Sequence, residues 1–95
     1  MKTLNEFKET LSLEQPETEL SVQLRSLWYD AKGDWHYAHA QVDQLNDQNS
    51  ALVHAYLHRK EGDIWNADYW YRKAKAIRPN ASLEEEWEQL VLKYL

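Results

Sequence analysis

The chain has 95 residues and a net charge of −5, with no cysteine, two glycines and two prolines. This length fits one small domain, and the missing cysteine removes disulfides, thiolate nucleophiles and Cys-based metal sites together. The acidic balance argues against nucleic-acid binding driven by phosphate contacts, and so few turn residues leave little room for an all-β architecture.

A chain this short can bury only a modest core, so its five Trp, six Tyr and one Phe are expected to supply dense packing. At the amino end, the residues after Lys2 form no apolar stretch, so no signal peptide is expected. No run approaches the roughly 18 apolar residues of a membrane span. The expectation is a cytoplasmic domain with neither nucleic acid nor membrane as partner.

In chain order, Leu4, Phe7, Lys8 and Leu11 make a short amphipathic segment, and Pro16 closes the linker behind it. Glu17 to Lys32 carries Leu20, Leu24, Leu27 and Trp28 at helical spacing and stops at Gly33, a left-handed C-cap. The segment from Trp35 to Leu45 sets Trp35, Ala38, Val42 and Leu45 on one side. A polar turn over residues 46–50 follows, in which Asn49 or Ser50 can cap a helix running to Glu61. The next helix is expected from Ile64 to Ile77, halted by Pro79. Ser82 and Glu85 form a capping box that opens a last helix carrying Leu83, Trp87, Leu90, Val91 and Tyr94. No strand-like alternation competes, so the fold class is all-α with about six helices.

Two of these junctions are copies of each other. Gly33-Asp34-Trp35-x-x-Ala38 returns as Gly62-Asp63-Ile64-x-x-Ala67, 29 residues on. A recurring helix–turn–helix unit points to stacked antiparallel helix pairs. Residues 48–81 resemble a tetratricopeptide repeat through Ala55, Gly62, Asp63, Ala67, Tyr71, Ala74 and Pro79. They depart from that pattern at Ala51, His54 and His58, where the family usually has Trp, Leu and Tyr. Residues 17–47 are a degenerate copy, matching through Ser26, Tyr29, Gly33, Asp34 and Ala38 but without the proline. The resemblance implies one domain over 1–95, a short right-handed array with 1–16 and 82–95 as caps. The run from His54 to Asp63, with Asn66, Ala67 and Tyr69 to Tyr71, is also similar to small bacterial proteins of unassigned activity, which implies no function.

The resemblance implies a non-enzymatic module that binds protein or peptide. The first helix of each pair would line a concave groove, which assigns Asn49, Leu52, Tyr56, Arg59 and Lys60 to the contact surface. Between His54 and Arg78 there are six bases and three acids in an otherwise acidic chain. An acidic partner is therefore the expectation, and reversing Arg59 and Lys60 to Glu is expected to leave the fold intact. A solvated charged face is the plainer reading of these two residues. With only two repeats, any peptide site would be short unless the protein forms a homodimer.

Trp65, Tyr69 and Arg72 fall on the helix face opposite Ala67, Trp70, Tyr71, Ala74 and Ile77. They are expected either beneath the last helix or, if exposed, as an alternative contact stripe.

The histidines invite a chemical reading. His54 and His58 are four apart on one face, and the turn near Asp47 would bring His39 towards His54. With Asp43, three imidazoles in one cleft are a candidate set for zinc, nickel or a small ligand. Structural histidines with hydrogen-bonded tips are the plainer reading. No HExxH spacing, Gly-x-Ser-x-Gly elbow or Gly-rich phosphate loop occurs, so an enzyme is the less favoured class. No cofactor is required, with room left only for a divalent metal.

Overall fold

A side-chain oxygen starts every α-helix among the described residues. In the computed structural model, which describes residues 2–95, α1 (Leu4–Glu9) is opened by Thr3 and α2 (Val22–Ala31) by Ser21. Asp34 opens α3 (Trp35–Val42), and Asp47 opens α4 (Gln48–Glu61). Asp63 opens α5 (Ile64–Lys73) and Ser82 opens α6 (Leu83–Tyr94). In each case the oxygen accepts the backbone N–H three residues on, satisfying one of the amides that a helix start leaves free. A 3₁₀ turn, Thr10–Ser12, follows α1, and no strand occurs among the described residues.

Four boundaries differ from the sequence expectation, the first at α3, which stops at Val42 and not Leu45 because the chain turns there, with Asp43 as C-cap and Leu45 N–H bonded to Val42 O. The cap of α4 is Asp47, and Ser50 is instead the residue whose N–H it receives. Helix α2 begins at Val22, not Glu17, because Ser21 is extended and caps it. Helix α5 ends at Lys73 because Lys75 turns left-handed with φ of 58°, which leaves Ile77 89% exposed outside the core.

The two Gly–Asp turns are built alike. Gly33 and Gly62 have φ of 86° and 89°, a region costly for side chains with a Cβ. Asp34 N–H returns to Tyr29 O at 3.0 Å, and Asp63 N–H returns to His58 O at 2.9 Å, closing the same six-residue C-cap. The helices on either side fold back as the pairs α2–α3 and α4–α5, which meet through α2, α3 and α4. Small buried residues at matching places let the paired helices approach: Ser26 with Ala38, and Ala55 with Ala67. The Ser26 hydroxyl donates to Ala38 O at 2.8 Å.

Helix α6 lies across α2 and α4, with α1 also in contact. Trp87 anchors it, donating from Nε1 to Leu27 O at 2.9 Å and packing 6.1 Å from the Phe7 ring. The core joins Phe7 to Leu24, Leu27 and Trp28 of α2, Val53 and Leu57 of α4, and Leu90 and Val91 of α6. No helix among the described residues is long and apolar enough to cross a membrane.

Candidate functional site

Three imidazoles converge where α3, α4 and α5 meet. His39 comes from α3, and His54 and His58 stand one turn apart on α4. One ring nitrogen from each lies within 4.8 Å of the other two. His39 Nε2 and His54 Nε2 are 3.0 Å apart. Trp35 stacks on His39 with ring centroids 4.9 Å apart, and Trp70 stacks on His54 at 4.0 Å. Trp35 is fixed in turn by its Nε1, which donates to Leu57 O at 2.8 Å. The cluster therefore has rigid aromatic walls on two sides. His36, three residues from His39, stays exposed on the far side of Trp35.

Two of the three rings have a carboxylate behind them. His58 Nδ1 donates to Glu61 Oε1 at 2.6 Å, which leaves its Nε2 lone pair free. His39 Nδ1 lies 3.9 Å from Asp43 Oδ2, so Asp43 backs the site without reaching it. His54 is 3% exposed, and its Nδ1 has no hydrogen-bond partner among the described residues. The tautomer of lowest cost therefore puts the His54 proton on Nε2, donating to His39, because a buried bare acceptor costs less than a buried N–H without a partner.

Burial, followed by the neighbouring imidazoles His39 and His58, pushes His54 down to about 3. His39 is lowered as well, first by burial and then by His58, with Asp43 pulling the other way. Both rings are thus neutral at pH 7, the form in which imidazole binds metal. Zinc would be held by three nitrogens with one coordination position left open once the His54 proton moves from Nε2 to Nδ1, the 3.0 Å His39–His54 separation opens slightly and the wider separations close. A second trio, His58, Glu61 and Asp63, also lies within 4.8 Å. Asp63 is committed elsewhere, since its two oxygens hold Asn66 through the backbone N–H and the side-chain amide.

The expected groove is corrected by the structure. Asn49, Leu52, Tyr56, Arg59 and Lys60 do share one side of α4, but α6 lies over it. Tyr94 donates to Asn49 O at 3.3 Å, and Leu52 shares a crevice with Glu86, Gln89 and Leu90. Tyr56 is 2% exposed and donates its hydroxyl to Asp30 Oδ2 at 2.7 Å. Arg59 pairs with Glu86 at 2.7 Å and also bonds Ala81 O, while Lys60 pairs with Asp30 at 2.8 Å. Both cations are spent on buried carboxylates, which removes the local reason for an acidic partner. Sequence reasoning missed Asp30 and Glu86. The signal for Glu86 was there: it stands three after Leu83 and four before Leu90, on the apolar stripe of α6.

The stripe of Trp65, Tyr69 and Arg72 is not covered by α6. Trp65 is 73% exposed and stacks on Tyr69 with centroids 6.2 Å apart, and Arg72 is exposed beside them. Lys73 crosses from the other side, 5.5 Å over the Tyr69 ring and 5.1 Å over Trp70. Compared with known proteins, the chain matches no protein-family model, no curated protein and no solved structure.

Proposed function

We propose that the chain is a cytoplasmic, non-enzymatic binding protein whose site is the His39–His54–His58 cleft and whose ligand is a divalent transition metal. The observation that carries the reading is the gathering of three imidazole donors within 4.8 Å, two of them backed by carboxylates. Zinc suits a small all-nitrogen set, and nickel or copper would compete by intrinsic affinity. The missing support behind His54 Nδ1 lowers the expected affinity, since such outer partners are worth about 10–100-fold. Titration with Zn²⁺, followed by histidine ring resonances, tests the proposal. One equivalent should shift His39, His54 and His58 and leave His36 in place, and His39→Ala should weaken binding. The absence of a saturable shift at these three rings would sink the reading.

A second reading, a protein-contact module, is favoured by the exposed Trp65–Tyr69–Arg72 stripe and by the repeat-like pairing of helices. Aromatic and Arg side chains supply most hot-spot energy at interfaces. The stripe replaces the α4 groove as contact surface in this reading. If Trp65→Ser with Tyr69→Ser retains every partner bound by the wild-type protein, the stripe is not that surface.

A further inference from the structure

A second concave site lies on the opposite side of α4 from the histidines. A cavity of about 370 Å³ opens between α1, the end of α2, α4 and the start of α6. This falls within the size range of small-molecule pockets. Its walls are mostly apolar, formed by Leu11, Ala31, Leu83, Trp87 and the ring of Tyr56. One buried charge lies among them: Asp30, whose side chain is 1% exposed.

The charges at the site set the sign of its ligand. Asp30 Oδ2 accepts the Tyr56 hydroxyl, and Oδ1 accepts the Lys60 ammonium, which reaches in from a half-exposed side chain. Glu84 and Glu88 stand at the cavity with Lys8, which pairs with Glu88. Three carboxylates thus meet two ammonium groups. An anionic ligand would bring further negative charge towards a buried carboxylate, which is unfavourable where water is scarce. A ligand ammonium can instead take the place that Lys60 holds on Asp30, and Lys60 can return to water along its flexible stem. The aromatic faces of Tyr56 and Trp87 favour a cation beside them and an apolar body against them.

We propose that this cavity binds a small amphipathic amine, with its ammonium on Asp30 and its apolar body against Leu11, Leu83, Trp87 and Tyr56. The site is independent of the histidine cleft and of any metal. The Lys60 ammonium acts as its internal stand-in, holding Asp30 neutralised when the site is empty of ligand.

Titration of the full chain with phenethylamine, followed by the Trp87 indole N–H and Leu83 methyl resonances, tests the proposal. Hydrocinnamate, with a similar apolar body and the opposite charge, is the control. The amine should give saturable shifts at both residues, and the anion should give none. Leu83→Trp fills the cavity from its rim and should abolish the amine shift at the Trp87 indole N–H while the helical circular dichroism is kept. Asp30→Asn, which keeps an acceptor for Tyr56, should weaken amine binding. Equal shifts from hydrocinnamate, amine shifts that persist in Leu83→Trp, or no saturable shift at all would each overturn the proposal. The anion control and the rim variant keep the test decisive should Asp30→Asn fail to fold.

Discussion

His39 and His54 meet Nε2 to Nε2 at 3.0 Å, and each ring lies nearly flat on a tryptophan, Trp35 for His39 and Trp70 for His54. One proton serves both facing nitrogens. A second proton between them would make His39 an imidazolium whose Nε2–H is aimed at the Nε2–H of His54 inside an aromatic box, with His58 beside them and only Asp43 and Glu61 nearby to answer the charge.

Stability should therefore depend on pH in a defined direction. His54 is held at about 3 in the folded chain against an ordinary value of 6.5, and His39 is lowered too. Between those values the unfolded chain binds more protons, so stability is full above pH 6.5 and falls as the pH falls through that window. The loss approaches about 1.4 kcal/mol per pH unit for each fully neutral buried ring. Urea midpoints measured downward from neutral pH should fall, and His54→Phe should flatten the slope. A wild-type midpoint that stays level down to about pH 5, below the ordinary histidine range, would contradict a buried neutral His54.

Reversing Arg59 should unfold much of the protein, contrary to the expectation from sequence. Glu86, 4% exposed on its side chain, would face a second carboxylate with only Tyr71 left as donor. Breaking a buried pair costs about 3–5 kcal/mol, and reversal adds repulsion. Urea denaturation of Arg59→Glu checks this. An unchanged midpoint would mean that Glu86 is solvated.

Two tryptophans should separate the covered face from the open one. Trp87→Ala removes the anchor of α6 and should cost about 3–5 kcal/mol. Trp65→Ala removes an exposed ring and should stay within about 0.5 kcal/mol of wild type. If the two losses are similar, α6 packs over the Trp65 side instead.

Ala67 touches Ala55 and Tyr71 in the small cluster between α4 and α5. Ala67→Leu should destabilise by about 1–3 kcal/mol through overpacking where two backbones lie close. Thermal or urea unfolding reads the change directly, and no loss would place Ala67 at the surface.

Left-handed positions offer a paired test. A Cβ on Gly62 would meet nothing within 4 Å, so Gly62→Ala isolates the backbone cost, about 1–2 kcal/mol. Lys75 already carries that strain at φ of 58°, so Lys75→Gly should raise the unfolding midpoint. Opposite signs for the two substitutions are the expected result.

Local chemistry was enough to read the helices. The Gly–Asp turns, the Ser82–Glu85 capping box and the apolar spacing around Leu24, Leu27, Trp28, Leu90 and Val91 act within a few residues of chain, so the sequence determined them by itself. The i,i+4 spacing of His54 and His58, with the turn after α3, even brought His39 to the right place. Where the last helix lands was decided only in three dimensions. Helix α6 could bury Trp87 against α5 or against α2 and α4, and helical periodicity is the same for both. Two buried acids favour the second choice: Glu86 meets Arg59 and Tyr71 there, and Asp30 meets Lys60 and Tyr56 beside it. Each contact joins residues on different helices at least 15 positions apart. No window of local pattern contains both partners, so the covered groove, the open Trp65 stripe and the amine-sized cavity are products of tertiary packing.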